Sequence, residues 1–374
     1  MKKESDKKGR KVRGLIIIGV EAVVLVAVVI VLIYTFRATG KDTGIIKYDL
    51  PEEEMIVPPM TTEENEHVEE VKKEEEEKYT TLALFGVDAR GKKLEKGTRS
   101  DTIIICSIDN ETGETRLCSI YRDTLLNISS PDKNPSYQKC NAAYAYFGPS
   151  GAINMLNQNL DLNITQFITI GFEGVIHTVD AVDGVEIDVH KDEIKYLNDY
   201  QASMYSTESQ AVITDDFVRV TDSGLQTLSG YQALAYCRIR YTAGNDFRRT
   251  ERQRDVINQI VAKAKKMSPS QATKICNEVF PLVATNLDLN EEIIPMATEV
   301  SKYEIVDSTG FPFEDKITTG LLGSKGDCVI PLDLESNVVE LHEFLYPKVT
   351  DYTPSEKVVK ASKDIKEEAA KYGK

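Results

Sequence analysis

The residues of this chain best equipped for chemistry are arginines, and they are gathered together. From Tyr79 to the C-terminus there are eleven, and six of them lie between Arg238 and Arg254. The run reads Tyr236-Cys-Arg238-Ile-Arg240, then Asp246-Phe-Arg248-Arg249-Thr-Glu-Arg252-Gln253-Arg254. In a chain of formal charge −15, such crowding of guanidinium groups points to a local anion site. The planar fork of arginine grips a phosphate through two bonds and stays charged at any working pH. A solvated helix face with i,i+3 and i,i+4 ion pairs would read the same way, and the residues upstream favour the site. Arg122 closes Ser119-Ile-Tyr-Arg122, Asp88 follows Gly86-Val, Asp101 sits in Arg99-Ser-Asp101-Thr, and Lys139 adds a cation. Two carboxylates beside phosphate-binding arginines suit Mg2+, which takes one or two carboxylates with substrate phosphates and water. The spacing equally allows Asp101 to cap a turn and Asp88 to pair with Arg90 or Arg99.

These groups need elements to carry them. Thr81–Gly86 reads as a buried strand ending at Asp88. Thr102–Cys106 and Thr115–Ile120 read as a hairpin turning through Asn110 to Gly113. If the first two strands are antiparallel neighbours, their connection brings Asp88 and Asp101 to one sheet edge. Gly151–Leu160, Phe172–Val182 and Leu225–Ala235 are expected as helices, and Phe167–Ile170 and Val185–Val189 as strands. Arg238 and Arg240, read as extended chain, point the same way. A long helix is expected from about Phe247 to Lys266 with Asp246 as its N-cap. It would put Arg249, Arg252 and Gln253 on one face near a helix N-terminus that favours phosphate. Another helix opens at Ser268-Pro269. Alternating strands and short helices imply an α/β domain, a central mixed sheet flanked by helices on both faces.

Composition bounds the rest. Hydrophobic residues make up 41% of 374, enough for a real core, and the acidity argues against nucleic acid as a partner. No CxxC pair and no HExxH occur among six cysteines and four histidines, which argues against zinc. Residues 2–13 hold seven Lys or Arg, and 14–34 are apolar except for Glu21. That length spans a bilayer, and the basic flank sets the N-terminus in the cytoplasm. The expected layout is a basic segment 1–13, a transmembrane helix 14–34, an acidic stalk 35–78, a folded domain 79–349 outside the cell and a frayed charged tail 350–374. Twelve glutamates between Glu52 and Glu77 carry the stalk reading. Outside the membrane a disulfide is permitted; Cys106 with Cys118 or Cys276 with Cys328 could bridge, and free buried thiols are an equal alternative.

In order along the chain, Gly86-Val-Asp88-Ala-Arg90, Arg99-Ser-Asp101-Thr, Ser119-Ile-Tyr-Arg122-Asp123, Lys139-Cys-Asn-Ala-Ala-Tyr144, Val179-Asp-Ala-Val-Asp-Gly-Val185 and the Arg238–Gln253 run resemble the LytR-CpsA-Psr family. The resemblance covers roughly Tyr79 to Lys266. It implies a membrane-anchored phosphotransferase with its domain outside the cell. Such an enzyme moves a glycopolymer, such as teichoic acid or capsule, from undecaprenyl diphosphate onto peptidoglycan. It further implies Mg2+ (or Mn2+) on Asp88 and Asp101. Arg99, Arg122, Arg238, Arg240, Arg249 and Arg252 would surround the diphosphate with Gln253 beside them. Arg122, Arg238, Arg240 and Asp101 are the expected catalytic residues, with Lys139 as an added diphosphate ligand. A polyprenyl-diphosphate hydrolase, or a non-catalytic regulator that binds the lipid-linked precursor, would use the same residues. Tyr121 stands where the family has Pro, which would loosen the aim of Arg122. Ala89, Cys140, Arg248 and Asp183 are further departures. An apolar groove for the lipid is expected from the 151–182 region and the Val256, Ile257, Ile260, Val261 face.

Overall fold

The computed structural model describes residues 46–47, 63–89, 94, 96–130, 133–208, 217–239, 252, 255–256, 259–260, 263, 278–287 and 304–374. The expected transmembrane helix 14–34 and the basic segment before it lie outside the described residues. So do Asp246, the Ser268-Pro269 helix start and Cys276.

A seven-stranded mixed sheet organises the chain. It is built from β1 (Ile46–Lys47), β2 (Tyr79–Val87), β3 (Ser100–Asp109), β4 (Glu114–Ile120), β7 (Gln166–Gly171), β10 (Val283–Thr285) and β11 (Glu304–Phe311), in the order β1-β10-β7-β2-β3-β4-β11. Strands β2 and β3 are apolar almost throughout, because both faces of the sheet are covered. One face carries α3 (Phe172–Ala181), α4 (Ile194–Glu208) and α5 (Gly230–Cys237), packed through Val179, Leu197 and Leu234. The other carries α2 (Ala142–Leu160), α6 (Leu334–Leu345) and α7 (Glu356–Ala370), packed through Leu156, Leu341 and Ile365. Three two-stranded sheets attach to this frame: β5 (Leu125–Asn127) with β6 (Tyr137–Lys139), β8 (Val185–Val189) with β9 (Gly224–Leu228), and β12 (Ile317–Leu321) with β13 (Asp327–Pro331).

Strand directions decide where function can sit. β2 and β7 run parallel, β3 is antiparallel to β2 and to β4, and β4 and β11 run parallel. The C-terminal ends of β2, β4, β7 and β11 therefore share one edge with the start of β3. In open α/β sheets the crevice outside the carboxyl ends of the strands is where ligands bind.

Several expectations need correction. Leu225–Leu228 is strand β9, not helix, and the helix starts only after Ser229. There a capping box forms: Gln232 Oε1 accepts from the Ser229 backbone N–H at 3.0 Å, and the Ser229 side chain caps the Gln232 N–H. The acidic stalk is not free of the domain over its whole length. β1 pairs with β10, and α1 (Glu63–Lys78) buries Val71 and Glu75. Residues 350–374 are not frayed, since α7 buries Val358, Ala361 and Ile365 in the core layer it shares with α2 and α6. Cys106 and Cys118 do lie on the hairpin but face opposite sides of the sheet, one in each core, so they cannot bridge. Both are free thiols, as are Cys140, Cys237 and Cys328, and burial pushes Cys106 up to about 12.

Candidate active site

The carboxylates arrive at the shared edge through a bulge. Gly86 pairs with Thr102 and Val87 with Ser100, so Asp101 is the extra residue at the start of β3. Asp88 is the first residue past β2 and is exposed, and Arg99, also exposed, immediately precedes β3. The loop between them is tied at several points. The Thr98 hydroxyl donates to the Asp88 carbonyl at 2.9 Å, and the Gly97 N–H donates to Ala145 of α2 at 3.0 Å. Tyr144 donates to the Leu94 carbonyl at 2.5 Å from a fully buried position, its ring beside Phe85.

Arg122 emerges just past β4, beside β3, and its Nη1 donates to Asp101 Oδ1 at 2.7 Å. Asp123 links Arg122 to Lys139, with its carboxylate 3.6 Å from Arg122 Nε and 3.0 Å from Lys139 Nζ. Lys139 reaches it from the end of β6, where it pairs with Leu125 of β5. Four charged side chains from three segments thus form one chain, Asp101–Arg122–Asp123–Lys139. The backbone aims it: the Arg122 carbonyl accepts from Asn141 N–H at 3.2 Å and from the Cys140 thiol at 3.3 Å. Burial and the neighbouring Asp123 push the Cys140 thiol far up, so it is a packing group and no nucleophile. Tyr121 in place of proline does not loosen this turn. Its N–H donates to the Phe311 carbonyl at 2.9 Å, a bond proline could not make.

Arg238 approaches from the other face of the sheet. It is the C-cap of α5, with φ −93° and ψ −7°, so it is not extended chain, and Arg240 lies outside the described residues. Its guanidinium carbon sits 4.9 Å from the ring centroid of Phe172 and 5.4 Å from that of Tyr200. Phe172 opens α3 directly after β7, whose last residue, Gly171, pairs with Val87. Asp88 and Arg238 are therefore served by adjacent strand ends of one edge. Close packing sets α5 in place: the Gly230 N–H donates to Asp180 Oδ1 at 2.7 Å, and a Cβ on Gly230 would lie 2.3 Å from the Ile176 carbonyl.

Arg252 is the clear correction among the expected diphosphate ligands. It is 1% exposed; its Nε donates to Glu193 at 2.8 Å and its Nη1 to the Ile239 carbonyl at 2.9 Å. It holds the chain after Arg238 to the domain and cannot reach a solvent-borne substrate. Val256 and Ile260, expected to line a lipid groove, are core residues. Arg249, Gln253, Ile257 and Val261 lie outside the described residues. Asp123, Glu193, Phe172 and Tyr200 are partners of the arginines that the sequence motifs do not identify as such. Only Asp123, beside Arg122, carried a signal.

Comparison with known proteins places the chain in a family. The LytR_cpsA_psr family model matches residues 58–326. The chain belongs to the LytR_cpsA_psr family. It is 31% identical over 224 residues to Biofilm regulatory protein A of Streptococcus mutans, covering 58% of this chain and 52% of that protein. It is 27% identical over 239 residues to the polyisoprenyl-teichoic acid–peptidoglycan teichoic acid transferase TagT of Bacillus subtilis, covering 63% and 69%. The crystal structure of protein gbs0355 from Streptococcus agalactiae is similar with a TM-score of 0.56 at 25% identity, over 75% of this chain and 91% of that one. The LytR_cpsA_psr chain thus spans about half the length of the first of these relatives. Helices α6 and α7 lie beyond the residues the family model matches.

Proposed function

We propose that this protein is a membrane-anchored phosphotransferase that moves a glycopolymer from undecaprenyl diphosphate to a hydroxyl of peptidoglycan. The observation that carries the reading is the Asp101–Arg122–Asp123–Lys139 chain, set at the strand ends that also bring in Arg238. A relative's name as a teichoic acid transferase supports the polymer class. The apolar 14–34 segment supports the anchor, with the N-terminus cytoplasmic and the domain outside the cell.

Phosphoryl transfer needs positioning and neutralisation of charge more than covalent participation by the protein. The acceptor oxygen forms a bond to the glycan-linked phosphorus, and the bond from that phosphorus to the bridging oxygen breaks. Undecaprenyl phosphate leaves, and the hydroxyl proton passes to a carboxylate at the edge. Arg122, Arg238 and Arg240 stabilise charge on the transferring group, while Arg99 and Lys139 hold the diphosphate. Arg249 and Gln253 are carried here on the family resemblance.

Asp88 and Asp101 fit Mg2+ (or Mn2+). Their positions at the β2 and β3 ends supply carboxylate oxygen, and Asp101 already bonds a cation, Arg122. Among the described residues no cluster of three or more His, Cys, Asp or Glu could hold a metal alone. Phosphate oxygens and water would complete the shell, as Mg2+ prefers. When bound, the ion supplies positive charge to the diphosphate.

The test incubates the full chain with undecaprenyl-diphosphate-linked glycan, isolated peptidoglycan and Mg2+. Covalently attached polymer is expected. Free glycan phosphate and undecaprenyl phosphate released without attachment to peptidoglycan would make the protein a diphosphatase, and binding without turnover would make it a precursor-binding regulator.

A further inference from the structure

Arg238 ends a helix, where the last-turn carbonyls attract a cation. A guanidinium left free there would fold back onto its own helix. Two aromatic rings stand against it instead, and they come from different elements: Phe172 from the first position of α3 and Tyr200 from the middle of α4. Both rings are partly buried and packed against the core behind the site. A guanidinium stacks well on an aromatic face because the plane of the group is weakly hydrated, while its N–H donors point outward within that plane.

We propose that Phe172 and Tyr200 are positioning residues that hold Arg238 by its face, leaving the N–H edge to a bound diphosphate. The proposal rests on the reading of Arg238 as a diphosphate ligand. It assigns work to two side chains with no reactive group of their own. The rings remove alternative orientations of a long side chain before the ligand arrives, so less freedom is lost on binding.

Binding of inorganic diphosphate to the full chain, with Mg2+ present, gives the readout. Phe172→Leu and Tyr200→Leu are each expected to weaken binding roughly three- to thirty-fold, the range of one cation–aromatic contact. Tyr200→Phe and Phe172→Tyr keep a ring and should bind as the wild type does. The decisive comparison repeats both leucine substitutions in an Arg238→Ala background, where neither should weaken binding further. Losses that persist there would show that the rings only support the fold, and the proposal would be wrong. Unchanged binding by both leucine variants would also overturn it. Polymer transfer is scored separately. A non-additive binding cycle in a protein that transfers nothing overturns the proposed function alone, and an additive cycle in an active enzyme overturns the positioning role alone.

Discussion

Arg122 is held by two carboxylates, Asp101 at 2.7 Å and Asp123 at 3.6 Å, and each contact fixes its orientation before any substrate binds. Removing a preorganised cation aimed at developing charge costs catalysis heavily. Arg122→Ala should lower the transfer rate about 10²- to 10³-fold with the melting temperature nearly unchanged. Asp123→Asn should lower it less, about ten- to hundredfold, through weaker charge-assisted bonds to Arg122 and Lys139. Arg252 should behave in the opposite way. It and Glu193 are both 1% exposed at the side chain, so removing one leaves the other charged and buried. Glu193→Ala or Arg252→Ala should destabilise the fold by about 3–5 kcal/mol in urea titrations. An intact fold with only weakened diphosphate binding would return Arg252 to the site. Sequence spacing could not make this distinction. All the arginines of the 238–254 run look alike in one dimension, and the partner that buries Arg252 lies 59 residues away. Asp101 and Arg122 were legible because each ends or starts a strand of a hairpin whose apolar runs are unmistakable.

At the scale of elements, the strands that carry the site were readable and the helices that brace it were not. In α7 the buried positions Val358, Ala361, Ile365 and Ala369 lie among lysines and glutamates, and in α1 Val71 is isolated in a glutamate-rich stretch. Overall polarity hides stripes so narrow, although their spacing is helical. The two helices are nevertheless fastened to the same layer. His342 of α6 meets Glu75 of α1 through Nδ1 at 2.7 Å and the Leu160 carbonyl through Nε2 at 2.9 Å, with its ring stacked on Tyr352 at 3.6 Å. Tyr352 and Ser355 in turn bond Asp161 at the end of α2. The segment leading out of the proposed membrane anchor is thereby docked on residues beyond the family match. His342→Leu strands the Glu75 carboxylate in an apolar setting. It should cost about 3 kcal/mol and raise amide exchange in α1 before that in β2 or β3. Equal exchange in α1 and the central strands of this variant would show that α1 is not separately held.

For the whole molecule, acid should act on this C-terminal layer first. Burial works to raise Asp109, but bonds from Lys348 and Thr112 outweigh it and hold the carboxyl below its usual value. The same balance lowers Asp333 through Lys366 and Ser336, and Asp364 through Lys360 and Tyr137. Glu368 is lowered chiefly by Lys325, and then by Lys371. Each of these groups is more acidic folded than unfolded. The stability it contributes is therefore present above the unfolded pKa and is lost as pH falls through the folded one. Unfolded carboxylates titrate near pH 4, so the loss should begin below about pH 5 and deepen toward about pH 2. Asp333, Asp364 and Glu368 lie in or beside α6 and α7, and Asp109 bonds the chain just after α6. Hydrogen exchange at pH 3 should accordingly rise in α6 and α7 while β2, β3 and β7, shielded on both faces, stay protected. Lys366→Met should lower the low-pH dependence by removing one partner of Asp333. A uniform rise in exchange across the sheet and both helix layers would mean that acid unfolds the domain as one unit, and that these ion pairs do not set where it opens.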